Sequence, residues 1–229
     1  MTTIDYAKAR ETMVEQQVRP WDVLDIRVLE ALSTLPREAF VSPAYRALAY
    51  ADLPVPIGHG ELMFKPVVEG RMLQSLALLP TDEVLEIGTG SGFIAACLGR
   101  LARDVLSLEI HSDLAEAARV RLAEQGLDGN VRVETADALH YQTQRRFDAI
   151  CITGAVAAIP PQFVQWLRPG GRLFAVRGQA PAMAAVLLHK PVDGEQVNDG
   201  QVNGPCIESL FETVVPYLVG AAPTPAFQF

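Results

Sequence analysis

Apolar residues recur at helical spacing from Asp5 to Leu35, where Ile26, Leu29, Leu32 and Leu35 form a stripe that stops at Pro36. This predicts an amino-terminal helical segment. From Arg37 to Pro66 the periodicity dissolves among Pro43, Pro54, Pro56, Gly58, Gly60 and Pro66, a stretch too long to be a mere connection and therefore a candidate functional segment. Helical spacing returns from Val67 to Leu79 through Val68, Met72, Leu73 and Leu76, closed by Pro80.

Beyond Pro80 the pattern alternates between short apolar runs and helical spacing, which predicts an open, mostly parallel sheet with helices on both faces. Strands are predicted at Glu83–Ile87, Val105–Glu109, Val131–Glu134, Phe147–Thr153 and Gly171–Val176. Between them lie helices at Phe93–Leu101, at Ser112–Gln125 with Ser112 as cap and Gly126 as left-handed stop, and near Pro161–Leu167. Ala184–His189 and Leu210–Val219 flank a polar loop at 193–204 and predict an antiparallel closing hairpin; 221–229 reads as a tail. The segmentation divides the chain into a helical cap with its irregular segment, 1–66, and an α/β unit, 67–229, built as one compact body.

The charge balance narrows the partners. With 27 acidic against 19 basic side chains and a net charge of -8, the chain lacks the basic surplus of a nucleic-acid groove. No apolar run reaches the roughly 18 residues of a membrane span and the first twelve residues are too polar for a secretory signal, so a cytoplasmic protein is expected. Cys97, Cys151 and Cys206 form no C-x-x-C pair and are read as reduced, mostly buried thiols. His111, His140 and His189 have no partner four residues away that would make a zinc face, so no metal is expected; Met13, Met63 and Met72 are read as packing residues.

Candidate chemistry centres on Val84-Leu85-Glu86-Ile87-Gly88-Thr89-Gly90-Ser91-Gly92-Phe93, an apolar strand running through three glycines into a helix. Such a turn lets backbone approach a ligand closely. The dinucleotide fingerprint G-x-G-x-x-G would need glycine where Phe93 stands, which counts against a nicotinamide oxidoreductase. Glu109 ends the second sheet strand and Asp137 follows the third, both at the carboxyl edge where open α/β sheets bind ligands. A carboxylate at the first position can accept from two ribose hydroxyls, and one at the second from an exocyclic adenine amine. His111 follows closely enough to lie beside a bound adenosine.

These residues resemble the core of a class I S-adenosylmethionine-dependent methyltransferase, with its Rossmann-like sheet. The whole chain is similar to the protein-L-isoaspartate (D-aspartate) O-methyltransferases through Met13-Val14-Glu15-Gln16-Gln17, Arg27-Val28-Leu29-Glu30-Ala31, Pro36-Arg37-Glu38-Ala39-Phe40-Val41, Ala49-Tyr50-Ala51-Asp52, Leu85–Gly92, Phe147-Asp148-Ala149-Ile150 and Pro169-Gly170-Gly171-Arg172-Leu173. The resemblance implies S-adenosylmethionine as cofactor, held by Glu86, Gly88, Thr89, Gly90, Ser91, Gly92, Glu109, Ile110, Asp137 and Ala138, and a protein or peptide carboxylate of the isoaspartyl class as acceptor.

One segment departs from the family. Its usual G-x-G-Q-T-I-S-Q-P reads here Gly58-His59-Gly60-Glu61-Leu62-Met63-Phe64-Lys65-Pro66, so both hydroxyl side chains are lost and Phe64 stands at the functional serine. His59, Glu61 and Lys65 are candidate replacements, Lys65 as a partner for an acceptor carboxylate. The expectation is isoaspartyl turnover that is absent or far below that implied by the family. Two alternatives follow: a methyltransferase of the same architecture with another acceptor, and a catalytically silent cofactor-binding protein.

Overall fold

The computed structural model describes residues 4–192 and 204–224. The expected polar loop at 193–204, apart from Gly204, and the last five residues of the expected tail lie outside the described residues. The first helix, α1 (Tyr6–Met13), begins at Asp5, whose side chain accepts from the Lys8 amide at 3.0 Å. It continues through a π turn and a 3-10 turn and ends at Asp22 with a left-handed φ of 61°. A second helix, α2 (Ile26–Thr34), starts at the Asp25 cap, so the single helical reading of 5–35 resolves into two helices. Its buried face is Val28, Leu29, Ala31 and Leu32, and Ile26 is 78% exposed, contrary to the expected stripe. At about 100° per residue Ile26 lies opposite Val28 on the helix.

The irregular segment contains an unpredicted antiparallel hairpin, β1 (Val55–Gly58) with β2 (Glu61–Met63), in which Val55 faces Met63. Its tip turns through His59 and Gly60, both at positive φ. The next helix, α3 (Pro66–Ser75), begins with proline at its first position, where the missing amide hydrogen costs nothing, and stops short of the expected Leu79.

The remaining strands are β3 (Glu83–Ile87), β4 (Asp104–Glu109), β5 (Val131–Thr135), β6 (Phe147–Val156), β7 (Leu167–Gln179), β8 (Ala182–His189) and β9 (Cys206–Glu212), with α4 (Phe93–Leu101), α5 (Ser112–Glu124) and α6 (Pro161–Gln165) between them. They form a seven-stranded sheet of order β5-β4-β3-β6-β7-β8-β9, parallel through β7 and antiparallel at β8 and β9. Consecutive strand residues point to opposite faces, which separates two cores. Val84, Val105, Ala149 and Phe174 pack with residues of α2, α3, α4 and α5, and Leu85, Leu106, Ile150 and Leu173 pack with Phe163 and Trp166 beside α6. The first of these cores also takes in Met13, Leu32 and Phe40, joining the amino-terminal helices to the sheet.

Three local expectations are corrected. Ser112 is the first helical residue of α5, not its cap; His111 holds the cap position without a side-chain bond. Cys206 is exposed, whereas Cys97 and Cys151 are buried as expected. The last strand begins at Cys206 and ends at Glu212, so the expected strand through Val219 breaks early. The chain then crosses back over β6, where the Ala155 amide donates to the Pro216 carbonyl at 2.7 Å and the Leu218 amide to the Ala155 carbonyl at 2.9 Å.

Candidate functional site

Strand order reverses about β3, whose neighbours are β4 on one side and β6 on the other, and a cleft opens beyond the carboxyl ends of these strands. About 830 Å³ of space, part of it open to solvent, lies between the glycine turn, the loops after β4 and β5, the β1–β2 hairpin with Phe64, and the returning chain at Leu218 and Val219.

The turn is shaped by its glycines. Gly88 and Gly90 have φ of 95° and 53°, a region L side chains rarely adopt. A Cβ on Gly90 would stand 2.8 Å from Ile57 Cδ1 in the hairpin, so the absence of a side chain lets the hairpin cover the turn. Gly92 differs from its expected role. It does not line the cleft; a Cβ there would meet Ala118 of α5 at 3.1 Å, so this glycine serves helix packing.

Glu109, 4% exposed, lines the cleft and is fixed from two sides: Gly90 donates its amide to Oε2 at 2.7 Å and His111 donates its amide to Oε1 at 3.0 Å. Each carboxylate oxygen keeps a lone pair for a ligand. Asp137 is held similarly, accepting the Leu139 amide on Oδ1 at 2.9 Å and facing His140 Nδ1 with Oδ2 at 2.7 Å. Ile110 and Ala138 flank these two carboxylates in the same wall.

Glu86 is wholly buried. The parallel register places Ser107 of β4 opposite it, and the Ser107 hydroxyl donates to Glu86 Oε2, with Thr89 Oγ1 in turn 2.5 Å from Ser107 Oγ. Glu86 Oε1 has no partner among the described residues, although the side chain lines the cleft. Burial, reinforced by the charge of Glu109, pushes its carboxyl up to about 8, against the Ser107 hydrogen bond. A pKa raised by folding stabilises the fold below the unfolded value and loses that contribution as pH rises toward about 8. Urea midpoints are accordingly expected to fall between pH 5 and about 8 for the parent and to change much less for Glu86→Gln; parallel profiles would refute this account.

The acceptor-side residues are distributed unevenly. Phe64 and Glu61 line the cleft, but His59 and Lys65, expected beside the acceptor, do not. The His59 ring stacks on His111 at 3.9 Å between centroids and its Nε2 lies 2.9 Å from Asp113, which ties the hairpin tip to the start of α5. Lys65 is exposed at the cap of α3.

Several residues of the site escaped sequence reasoning. Thr153 donates its hydroxyl to the Ile87 carbonyl at 3.0 Å and borders the glycine turn, and Leu218 and Val219 close the far wall. Most consequential is Arg37, wholly buried, which donates to the Ala49 carbonyl and the Phe64 carbonyl at 2.7 Å each and pairs with Glu69 of α3. Pro36-Arg37 was visible as a motif, but nothing local pairs it with a residue 32 positions later.

Among the described residues no cluster of His, Cys, Asp and Glu could hold a metal ion, and no helix is long and apolar enough to cross a membrane.

The comparisons with known proteins agree with this architecture. A structure from Plasmodium falciparum described as a protein-L-isoaspartate O-methyltransferase, in complex with S-adenosyl-L-homocysteine, superposes with a TM-score of 0.77 over 94% of this chain and 99% of its own, at 18% identity. A second protein-L-isoaspartate O-methyltransferase structure gives a TM-score of 0.76 at 23% identity over 93% of this chain and 66% of its own. In sequence, the protein-L-isoaspartate O-methyltransferase of Koribacter versatilis is 39% identical over 81% of this chain and 83% of its own. Protein-L-isoaspartate O-methyltransferase 2 of Syntrophobacter fumaroxidans is 44% identical over 75% and 70%. The sequence model described as Protein-L-isoaspartate(D-aspartate) O-methyltransferase matches residues 8–203, and the chain belongs to that family.

Proposed function

We propose that the protein is an S-adenosylmethionine-dependent O-methyltransferase whose acceptor is the carboxylate of an isoaspartyl residue in damaged protein. The observation that carries this reading is the convergence of Glu86, the Gly88–Gly90 turn, Glu109 and Asp137 on one cleft whose other wall is the segment holding residue 64. The donors and acceptors present fit the cofactor. The unpartnered, buried Glu86 Oε1 suits an ammonium group, Glu109 suits the ribose hydroxyls, and Asp137 suits the adenine amine. Thr89, Ser91, Ile110 and Ala138 complete that half of the cleft.

When bound, S-adenosylmethionine supplies a methyl group already activated on a positively charged sulfur. The chain's own residues have a positioning task. An acceptor carboxylate with a pKa of about 4 is ionised at neutral pH, so no residue has to remove its proton. Ile57, Leu62 and Phe64 supply apolar surface that keeps water from the acceptor, and the Arg37 bond to the Phe64 carbonyl fixes the backbone at Phe64.

A specific observation supports a second reading, in which the acceptor differs: Leu62 and Phe64 present no hydroxyl to the cleft. S-adenosylhomocysteine formation is to be measured in parallel on an isoaspartyl peptide, the matching aspartyl peptide and cell extract. Turnover confined to the isoaspartyl peptide supports the first reading; turnover on extract alone replaces it by the second, and cofactor binding with no turnover anywhere by a silent binding protein. Leu62→Thr with Phe64→Ser is expected to raise isoaspartyl turnover several-fold, since each hydroxyl adds a donor facing the acceptor carboxylate, worth about 1 to 3 kcal/mol.

A further inference from the structure

The cofactor accounts for three of the acidic groups around the cleft, Glu86, Glu109 and Asp137; Glu61 lies in the hairpin, and Glu69 is left unexplained. Glu69 sits on α3, lines the cleft, is completely buried, and has an Oε1 without a partner among the described residues. Its place is fixed by Arg37, whose one guanidinium holds both Glu69 Oε2 and the Phe64 carbonyl, the latter at 2.7 Å. The Glu69 carboxyl is therefore held within the span of a single guanidinium of the residue that replaces the family's serine.

Resting on the isoaspartyl reading above, we infer that Glu69 supplies the hydrogen-bond donor that position 64 has lost: its carboxyl, carrying a proton on Oε1, donates to the acceptor-carboxylate oxygen that does not attack. The proton stays on Glu69 throughout, and the other acceptor oxygen remains free to form the new bond.

The surroundings favour a carboxyl that can hold a proton. Burial raises the Glu69 pKa and Asp52, in the loop before β1, raises it further, while the charge and hydrogen bond of Arg37 oppose them. Cys97 faces it from α4, its thiol held neutral by burial, and Glu61 and Glu86 lie in the same cleft. An incoming acceptor anion adds one more negative charge beside Oε1, and two carboxylates at hydrogen-bond distance share a proton rather than ionise together. The serine of the family's pattern would donate at any pH; Glu69 donates only when protonated, so acceptor binding acquires a pH dependence.

Steady-state methylation of an isoaspartyl peptide across about pH 5.5 to 8.5 tests this. The peptide KM of the parent is expected to rise by up to about tenfold per pH unit above the Glu69 pKa, with kcat changing little, because one proton is bound with each peptide. Glu69→Gln keeps an oxygen for Arg37 and places an amide N–H where Oε1 stood. It is expected to retain turnover with a peptide KM that varies by no more than about twofold over the same range, because its donor does not titrate. A Glu69→Gln profile parallel to the parent's, or loss of peptide turnover in a folded variant that still binds S-adenosylhomocysteine, overturns the inference. Should that variant not fold, calorimetry of peptide binding by the parent in two buffers of different ionisation enthalpy decides: proton uptake supports the inference and its absence overturns it. A parent that binds S-adenosylhomocysteine but methylates no isoaspartyl peptide at any pH overturns the acceptor reading itself and the inference with it. Isoaspartyl turnover with a pH-independent KM overturns the inference alone.

Discussion

Glu109→Ala is expected to weaken S-adenosylhomocysteine binding by roughly 10²- to 10⁴-fold, the equivalent of two charge-assisted hydrogen bonds of about 1.5 to 3 kcal/mol each. The carboxylate is 4% exposed, so water competes little for its lone pairs, and its orientation is set before any ligand arrives by the Gly90 and His111 amides. Removing it deletes two acceptors and also frees the Gly90 amide, whose bond fixes the glycine turn. Glu109→Gln keeps one oxygen to accept, but its NH2 then faces the Gly90 or His111 amide donor, so it too is expected to weaken binding, though less than Glu109→Ala. Titration calorimetry with folded variants measures this. Parent-like affinity in Glu109→Ala alongside weakened binding in Asp137→Ala would move the ribose site away from the end of β4.

The contrast between what the sequence disclosed and what it hid follows the range of the interactions concerned. The bounds of β3 and α4 coincide with the sequence reading because their signals are contiguous: an apolar run, three glycines, and an unbroken apolar helix. Glu109 and Asp137 were legible for a related reason, since parallel strands put their carboxyl ends on one edge wherever strand lengths are known. The β1–β2 hairpin was not legible. Its strands are four and three residues long, one carries Pro56, and among the described residues they pair only with each other, so no alternation is long enough to register. Glu69 was hidden more deeply. On a helix it reads as a solvated polar position, and only the fold brings Arg37 to it from another element. The course of 213–219 reads as strand because Val214, Val215, Tyr217, Leu218 and Val219 have strand character; the structure ends the strand at Glu212 and uses Leu218 and Val219 to wall the cleft.

Arg37→Met is expected to lower stability by about 3 to 5 kcal/mol, the usual consequence of removing one member of a buried ion pair. For a chain of this size that is a fall in Tm of roughly 6 to 20 °C. Both partners have no exposed side-chain surface, so the Glu69 charge left behind meets no water, and the variant answers by keeping that carboxyl protonated. Its destabilisation should therefore grow with pH, as ionising Glu69 becomes the alternative to folding. Pairing Arg37→Met with Glu69→Met removes both charges and restores part of the loss, as apolar replacement of buried pairs commonly does. Restoration stays incomplete because the guanidinium also serves the Ala49 and Phe64 carbonyls, which a thioether cannot satisfy. Thermal melts of the parent, the single and the double variant at two pH values distinguish these contributions. A double variant as unstable as the single one would assign the loss to the two carbonyls, and a fully restored one would assign it to the charge pair. A single variant as stable as the parent would show that Arg37 holds neither.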